Sequence, residues 1–123
     1  MAIVTCDPQL IVQFCTSFGI ATGHWMGDAP LVGSRYNVEI ELDGVLTYGV
    51  EVTISGSNIY HLESLIDDKV RIIGLLESLD DDGYAILRLD GNIVAFMSIE
   101  LDALVGQFVQ IDAVDITLYP YEV

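Results

Sequence analysis

Arg35-Tyr36-Asn37-Val38-Glu39-Ile40-Glu41-Leu42-Asp43-Gly44-Val45-Leu46-Thr47-Tyr48-Gly49-Val50-Glu51-Val52-Thr53-Ile54 changes character at nearly every second residue. Tyr36, Val38, Ile40 and Leu42 alternate with Asn37, Glu39 and Glu41. Leu46, Tyr48, Val50, Val52 and Ile54 alternate with Thr47, Gly49, Glu51 and Thr53. A period of two belongs to a strand with one wet face and one buried face. Asp43-Gly44, between the two runs, supplies the positive φ of a tight hairpin turn. The stretch therefore predicts two antiparallel strands, with Glu39, Glu41 and Glu51 together on the solvent side.

Toward the C-terminus, Ser55-Gly56-Ser57-Asn58 breaks the strand, and Ile59, Leu62, Leu65 and Ile66 fit a short helix ending near Asp67-Asp68. Val70 to Leu76 is apolar at both parities, as in a strand covered on both faces. Asp80-Asp81-Asp82-Gly83 and Asp90-Gly91 are turn signals. Residues 69–99 thus read as a three-stranded meander whose later strands are Tyr84 to Leu89 and Asn92 to Ile99. Leu101 to Val105 reads as one helical turn ended by Gly106. The last strand, over about 108–119, carries Val109 and Ile111, then Val114, Ile116 and Leu118, and this change of parity predicts a bulge or sharp bend near Asp112-Ala113.

Toward the N-terminus, Asp7-Pro8 suits a helix start. Leu10, Ile11, Phe14, Cys15 and Phe18 recur at helical spacing before Gly19, which predicts a helix over about residues 8–18. Residues 19–34, punctuated by Gly23, Gly27, Pro30 and Gly33, read as a loop holding the only tryptophan, Trp25. The expectation is one domain over residues 1–123 of α+β class. It has a curved antiparallel sheet or half-barrel of about six strands and two short helices. An OB-like barrel is the alternative.

Composition bounds the function. The chain has 123 residues, 52% of them hydrophobic and 19% charged, and its mean hydropathy is +0.51. That is too apolar for disorder, yet no run reaches the length of about 18–20 apolar residues that spans a bilayer. Nineteen acids face four bases (Arg35, Lys69, Arg71 and Arg88), a net charge of −15. Such a charge repels phosphate backbones and argues against a nucleic-acid partner. It attracts cationic protein surfaces. It also keeps a greasy domain soluble, which is the simpler account. Residues 1–8 lack a basic stretch and meet Asp7-Pro8 early, so the reading is no secretory leader, no membrane association and a cytoplasmic protein. Cys6 and Cys15 form no C-x-x-C pair and read as reduced, packed thiols.

Candidate chemistry is sparse. Asp80-Asp81-Asp82-Gly83 resembles half of a calcium loop, but position 78 is Ser and position 89 is Leu, so no metal or other cofactor is expected. His24 and His61 stand in no catalytic motif, and the chain is read as not an enzyme. The candidate partner-binding residues are Glu39, Glu41 and Glu51, the Asp80, Asp81 and Asp82 loop, and Tyr84 or Trp25 as an aromatic anchor.

In its acidity, its single-domain size, Glu39, Glu41, Glu51 and the Asp80–Asp82 loop, the chain resembles immunity proteins of bacterial toxin systems, including contact-dependent growth inhibition. The resemblance covers the whole chain and rests on composition. It implies an inhibitor that covers the active site, or a nearby surface, of a basic toxin, typically a nuclease. Two other readings stand beside it. One is a β-rich module binding a small ligand or a second copy of itself; the other is an inhibitor that mimics the charge of nucleic acid.

Overall fold

The computed structural model describes residues 1–66, 69–113 and 115–121. Among them the chain forms eleven strands: β1 (Ala2–Cys6), β2 (Ile11–Thr16), β3 (Gly19–Trp25), β4 (Asn37–Thr47), β5 (Val52–Ile54), β6 (His61–Ser64), β7 (Val70–Leu79), β8 (Tyr84–Leu89), β9 (Asn92–Ile99), β10 (Phe108–Ala113) and β11 (Ile116–Tyr121). They make one mixed sheet in the order β1-β2-β3-β11-β4-β9-β8-β7-β10-β5, with β6 also on β7. The β3–β11 and β4–β9 pairs are parallel. The ladder does not close into a barrel. An α+β domain with two helices on a six-stranded antiparallel sheet is therefore overturned. No α-helix forms among the described residues, and Asp102–Leu104 make a single 3-10 turn. No helix is long and apolar enough to cross a membrane among the residues described.

The N-terminal segment fails as a helix because its buried residues alternate. Val12 and Phe14 face the core while Ile11 and Gln13 face water. In β3 the inward positions are Ala21, Gly23 and Trp25, and Ile20, Thr22 and His24 point out. Small inward residues reverse the hydrophobic contrast there, and the strand reads as a loop. Ile59 and Ile66 lie in solvent, and only Leu62 of the expected second helix is buried, from within β6. The expected end of that helix, Asp67-Asp68, lies outside the described residues.

The expected hairpin at Asp43-Gly44 does not form either. β4 runs straight through these residues beside β9. Glu41 pairs with Ala95 and Val45 with Met97, so four steps along β4 match two along β9. Gly44, at φ 84°, absorbs the surplus as a bulge. A Gly with positive φ serves a bulge as well as a turn. The true reversal follows at Tyr48 to Glu51, where Gly49 N–H donates to Val52 O at 2.8 Å. β5 then pairs with β10 and not with β4.

The 69–99 meander is present as β7, β8 and β9. The change of parity after Ile111 marks more than a bulge: β10 pairs with β7 and β5, whereas β11 pairs with β3 and β4. One expected strand is thus two, each completing a different part of the sheet. Val114, one residue of that expectation, lies outside the described residues. The core that results gathers Ile3, Phe14, Trp25, Ile40, Leu62, Ile72, Leu87, Phe96, Ile111 and Leu118, all nearly inaccessible.

Candidate functional site

The outer face of β11, β4, β9 and β8 carries most of the expected site. Residues opposite one another in a ladder point to the same side. Tyr119 stands opposite Glu39, and Thr117 opposite Glu41. Glu41 stands opposite Ala95, which stands opposite Ile86. Val45, Met97 and Tyr84 form the next row. The face is amphipathic: Tyr119 is 40% exposed, Ile93 and Met97 38% and Tyr84 37%. Neither Glu39 nor Glu41 has a like charge directly opposite, so cross-strand repulsion does not mark this face.

Tyr84 joins the two glutamates to the Asp80 turn. Asp80 Oδ1 accepts the N–H groups of Asp82 and Tyr84, both at 2.9 Å, and Asp80 N–H donates to Tyr84 O at 3.0 Å. The Asp80 carboxylate therefore shapes the turn, and Asp81 and Asp82 stand free on its tip. Beside them Glu100 and Asp102 line a shallow cleft shared with the turn. Glu39, Glu41 and Asp80 form a band of carboxylates whose charge bears on Tyr84, and Asp80 also belongs to the turn whose cleft Asp81, Asp82, Glu100 and Asp102 line. Among the described residues, Arg71 and its acids lie elsewhere, while Arg88 stands opposite Ile93 at the β8 edge of this face and is taken up by Glu77. Arg71 holds Asp112 at 2.9 Å and Glu63 at 3.8 Å, and Arg88 holds Glu77 at 3.1 Å.

The field of this band registers on the phenol. Burial raises the pKa of Tyr84 above 10.0, and the charges of Glu39, Glu41 and Asp80 raise it further. A raised folded pKa favours the protonated phenol, so the associated stability is fully present below pH 10 and is lost as pH climbs through the folded value. In an alkaline titration of tyrosinate absorbance, with Tyr84→Phe as the difference, Tyr84 is expected to ionise above 10.0. Glu39→Gln with Glu41→Gln should move its midpoint back toward 10.0 without restoring it, because burial remains. An unchanged midpoint would place the two glutamates away from the phenol.

Two expected site residues fall elsewhere. Glu51 sits in the Tyr48–Glu51 reversal, where Oε1 accepts Thr47 N–H at 2.9 Å and the carbonyl accepts Asp112 N–H at 2.9 Å. Alternation groups it with Glu39 and Glu41 only through the hairpin that does not form. Trp25 is 1% exposed, packs edge-on against Tyr36 at 5.0 Å and donates from Nε1 to Asp28 O at 2.8 Å. It plugs the core and offers no face to a partner. Conversely, Ile93, Met97 and Tyr119 on this face escape sequence reasoning. The apolar residues of β9 at both parities read as burial on both sides, and Tyr119 stood at the end of an expected strand.

Comparison with protein-family models, curated proteins and solved structures finds no match for this chain.

Proposed function

We propose that this chain is a cytoplasmic immunity-type inhibitor that binds a basic toxin domain through the outer face of β11, β4, β9 and β8. The observation that carries this reading is the separation of its acids. Among the described residues Arg71 is paired with Glu63 and Asp112 and Arg88 with Glu77, while Glu39, Glu41 and Asp80, whose charges bear on Tyr84, stand in no such pair. Exposed Ile93, Met97 and Tyr119 lie within the same face. Unpaired acid accelerates encounter with a cationic surface, and apolar anchors slow its release. Solubility alone asks only for charge, and the placement of charge beside exposed aromatic and apolar side chains is what an interface adds.

The experiment is co-expression with the product of the neighbouring reading frame, followed by binding measured at low and high salt. Tight binding, a rate of association that falls with salt, and protection from that protein's toxicity are expected. A neighbouring product that neither binds nor harms the cell, together with salt-independent binding of any partner recovered, would remove the proposal.

A further inference from the structure

A cleft lies where the sheet fails to close, between β3 on one side and Ser64, Leu65, Lys69 and Val70 on the other. Its volume is about 510 Å³, within the range of small-molecule sites. Leu62 N–H donates to Phe18 O at 3.2 Å and pins one end of this seam. Beyond that bond no described strand pairs with the free edge of β3 until Thr117 meets His24.

The backbone along both lips points into the opening. Trp25 N–H donates to Leu10 O on the β2 side, and Met26 N–H to Leu118 O on the other. Backbone groups alternate along a strand, so Thr22 turns its N–H and C=O away from β2. On the opposite lip Leu65 N–H donates to Lys69 O, while Leu62 N–H points to β3. Ser64 therefore turns its backbone groups away from β7 as well. Such groups seek partners, and a ligand can supply them in place of water.

The side chains add charge of both signs. Lys69, the chain's one lysine, and His24 line the cleft together with Asp43 and Asp115. Asp43 is fixed in place, since its N–H donates to Asp115 O at 3.3 Å and its Oδ1 accepts the Thr117 hydroxyl at 3.4 Å. Beneath lie buried Val70 and Ile116. A simple anion would meet the field of the −15 chain, and a simple cation would be drawn instead to the carboxylates near Tyr84. A molecule with both charges and an apolar body matches the residues that line this cleft. We infer that the seam cleft binds a small zwitterion of amino-acid to dipeptide size. Its carboxylate would sit toward Lys69, its ammonium toward Asp43 and its apolar part over Val70 and Ile116.

The test is an amide-resonance titration of the full chain with L-leucine and leucyl-leucine, and with N-acetyl-leucine and leucinamide, which each lack one charge. The zwitterions should shift the amides of Thr22, His24, Ser64 and Thr117. Loss of either charge should weaken binding about tenfold. Lys69→Met should abolish the preference for leucine over leucinamide, and Asp43→Asn the preference over N-acetyl-leucine. The Asn keeps an acceptor for Thr117, and the spectrum itself reports that both variants fold. No shift up to about 10 mM, shifts confined to other surfaces, or equal binding of the singly charged analogues would overturn the inference. Lys69 lies outside the toxin-binding face, and Glu39, Glu41 and Tyr84 lie outside the cleft, so Lys69→Met and Glu39→Lys with Glu41→Lys let either reading fail alone.

Discussion

Gly19→Ala is expected to cost about 3–5 kcal/mol of stability, the sum of backbone strain and forced displacement. Gly19 begins β3 at φ 144°, a conformation that side-chain-bearing residues rarely adopt. An added Cβ would overlap the carbonyl oxygen of Leu62. The neighbouring Phe18 carbonyl accepts Leu62 N–H, so this contact is where β6 docks on the β2–β3 turn. Backbone on both sides leaves no flexible side chain to move aside. Leu62 is fully buried, and shifting β6 would drag it from the core. Gly33→Ala is the control: φ is 88° there, but the new methyl meets nothing within 4 Å, so only the strain of about 1 kcal/mol remains. Urea denaturation of the two variants checks the difference. Equal midpoints would mean that β6 is not held against Gly19.

Gly19 also shows what the sequence can and cannot tell. A glycine after Leu10, Ile11, Phe14, Cys15 and Phe18 looks like a helix stop, because those five residues satisfy a helical stripe. The same segment satisfies a strand once Val12 is counted, and neighbouring β-branched Ile3, Val4 and Thr5 lean that way. Its partners β1 and β3 are adjacent in the chain, but the small inward Ala21 and Gly23 hide β3 as a strand, so the hairpin that would decide goes unseen. The meander of β7, β8 and β9 was legible because its turns are short and its pairing is local. Asp43-Gly44 was misread for the opposite reason. Positive φ is written into the dipeptide, but whether the chain reverses or bulges depends on β9 arriving alongside in parallel. The candidate site divides in the same way. Glu39, Glu41, Asp80, Asp81, Asp82 and Tyr84 were legible from alternation and turn chemistry. Glu100 and Asp102 join them only because β9 ends beside the Asp80 turn.

Glu39→Lys with Glu41→Lys should slow association with a basic toxin domain by one to two orders of magnitude at low salt, on the order of 10- to 100-fold. The two substitutions change the net charge from −15 to −11, two units each. A bulk effect of charge would follow from any such change, so a matched variant separates patch from total. Asp28→Lys with Gln9→Lys and Gln13→Lys makes the same change at the β1–β3 end of the sheet, on exposed side chains. It should slow association less at low salt and leave the rate within about threefold at physiological salt, where charges beyond a Debye length of about 8 Å are largely screened. The gap between the two variants should narrow as salt rises. Dissociation should respond instead to Tyr84→Ala and Met97→Ala, which remove apolar contact from the same face. Neither charge variant alters a buried residue, so thermal midpoints should stay close to the parent. Stopped-flow association across a salt series, using an inactivated toxin domain, reads all of this. Equal slowing by both charge variants would reduce the acids to a bulk field, and no slowing by either would detach the face from binding altogether.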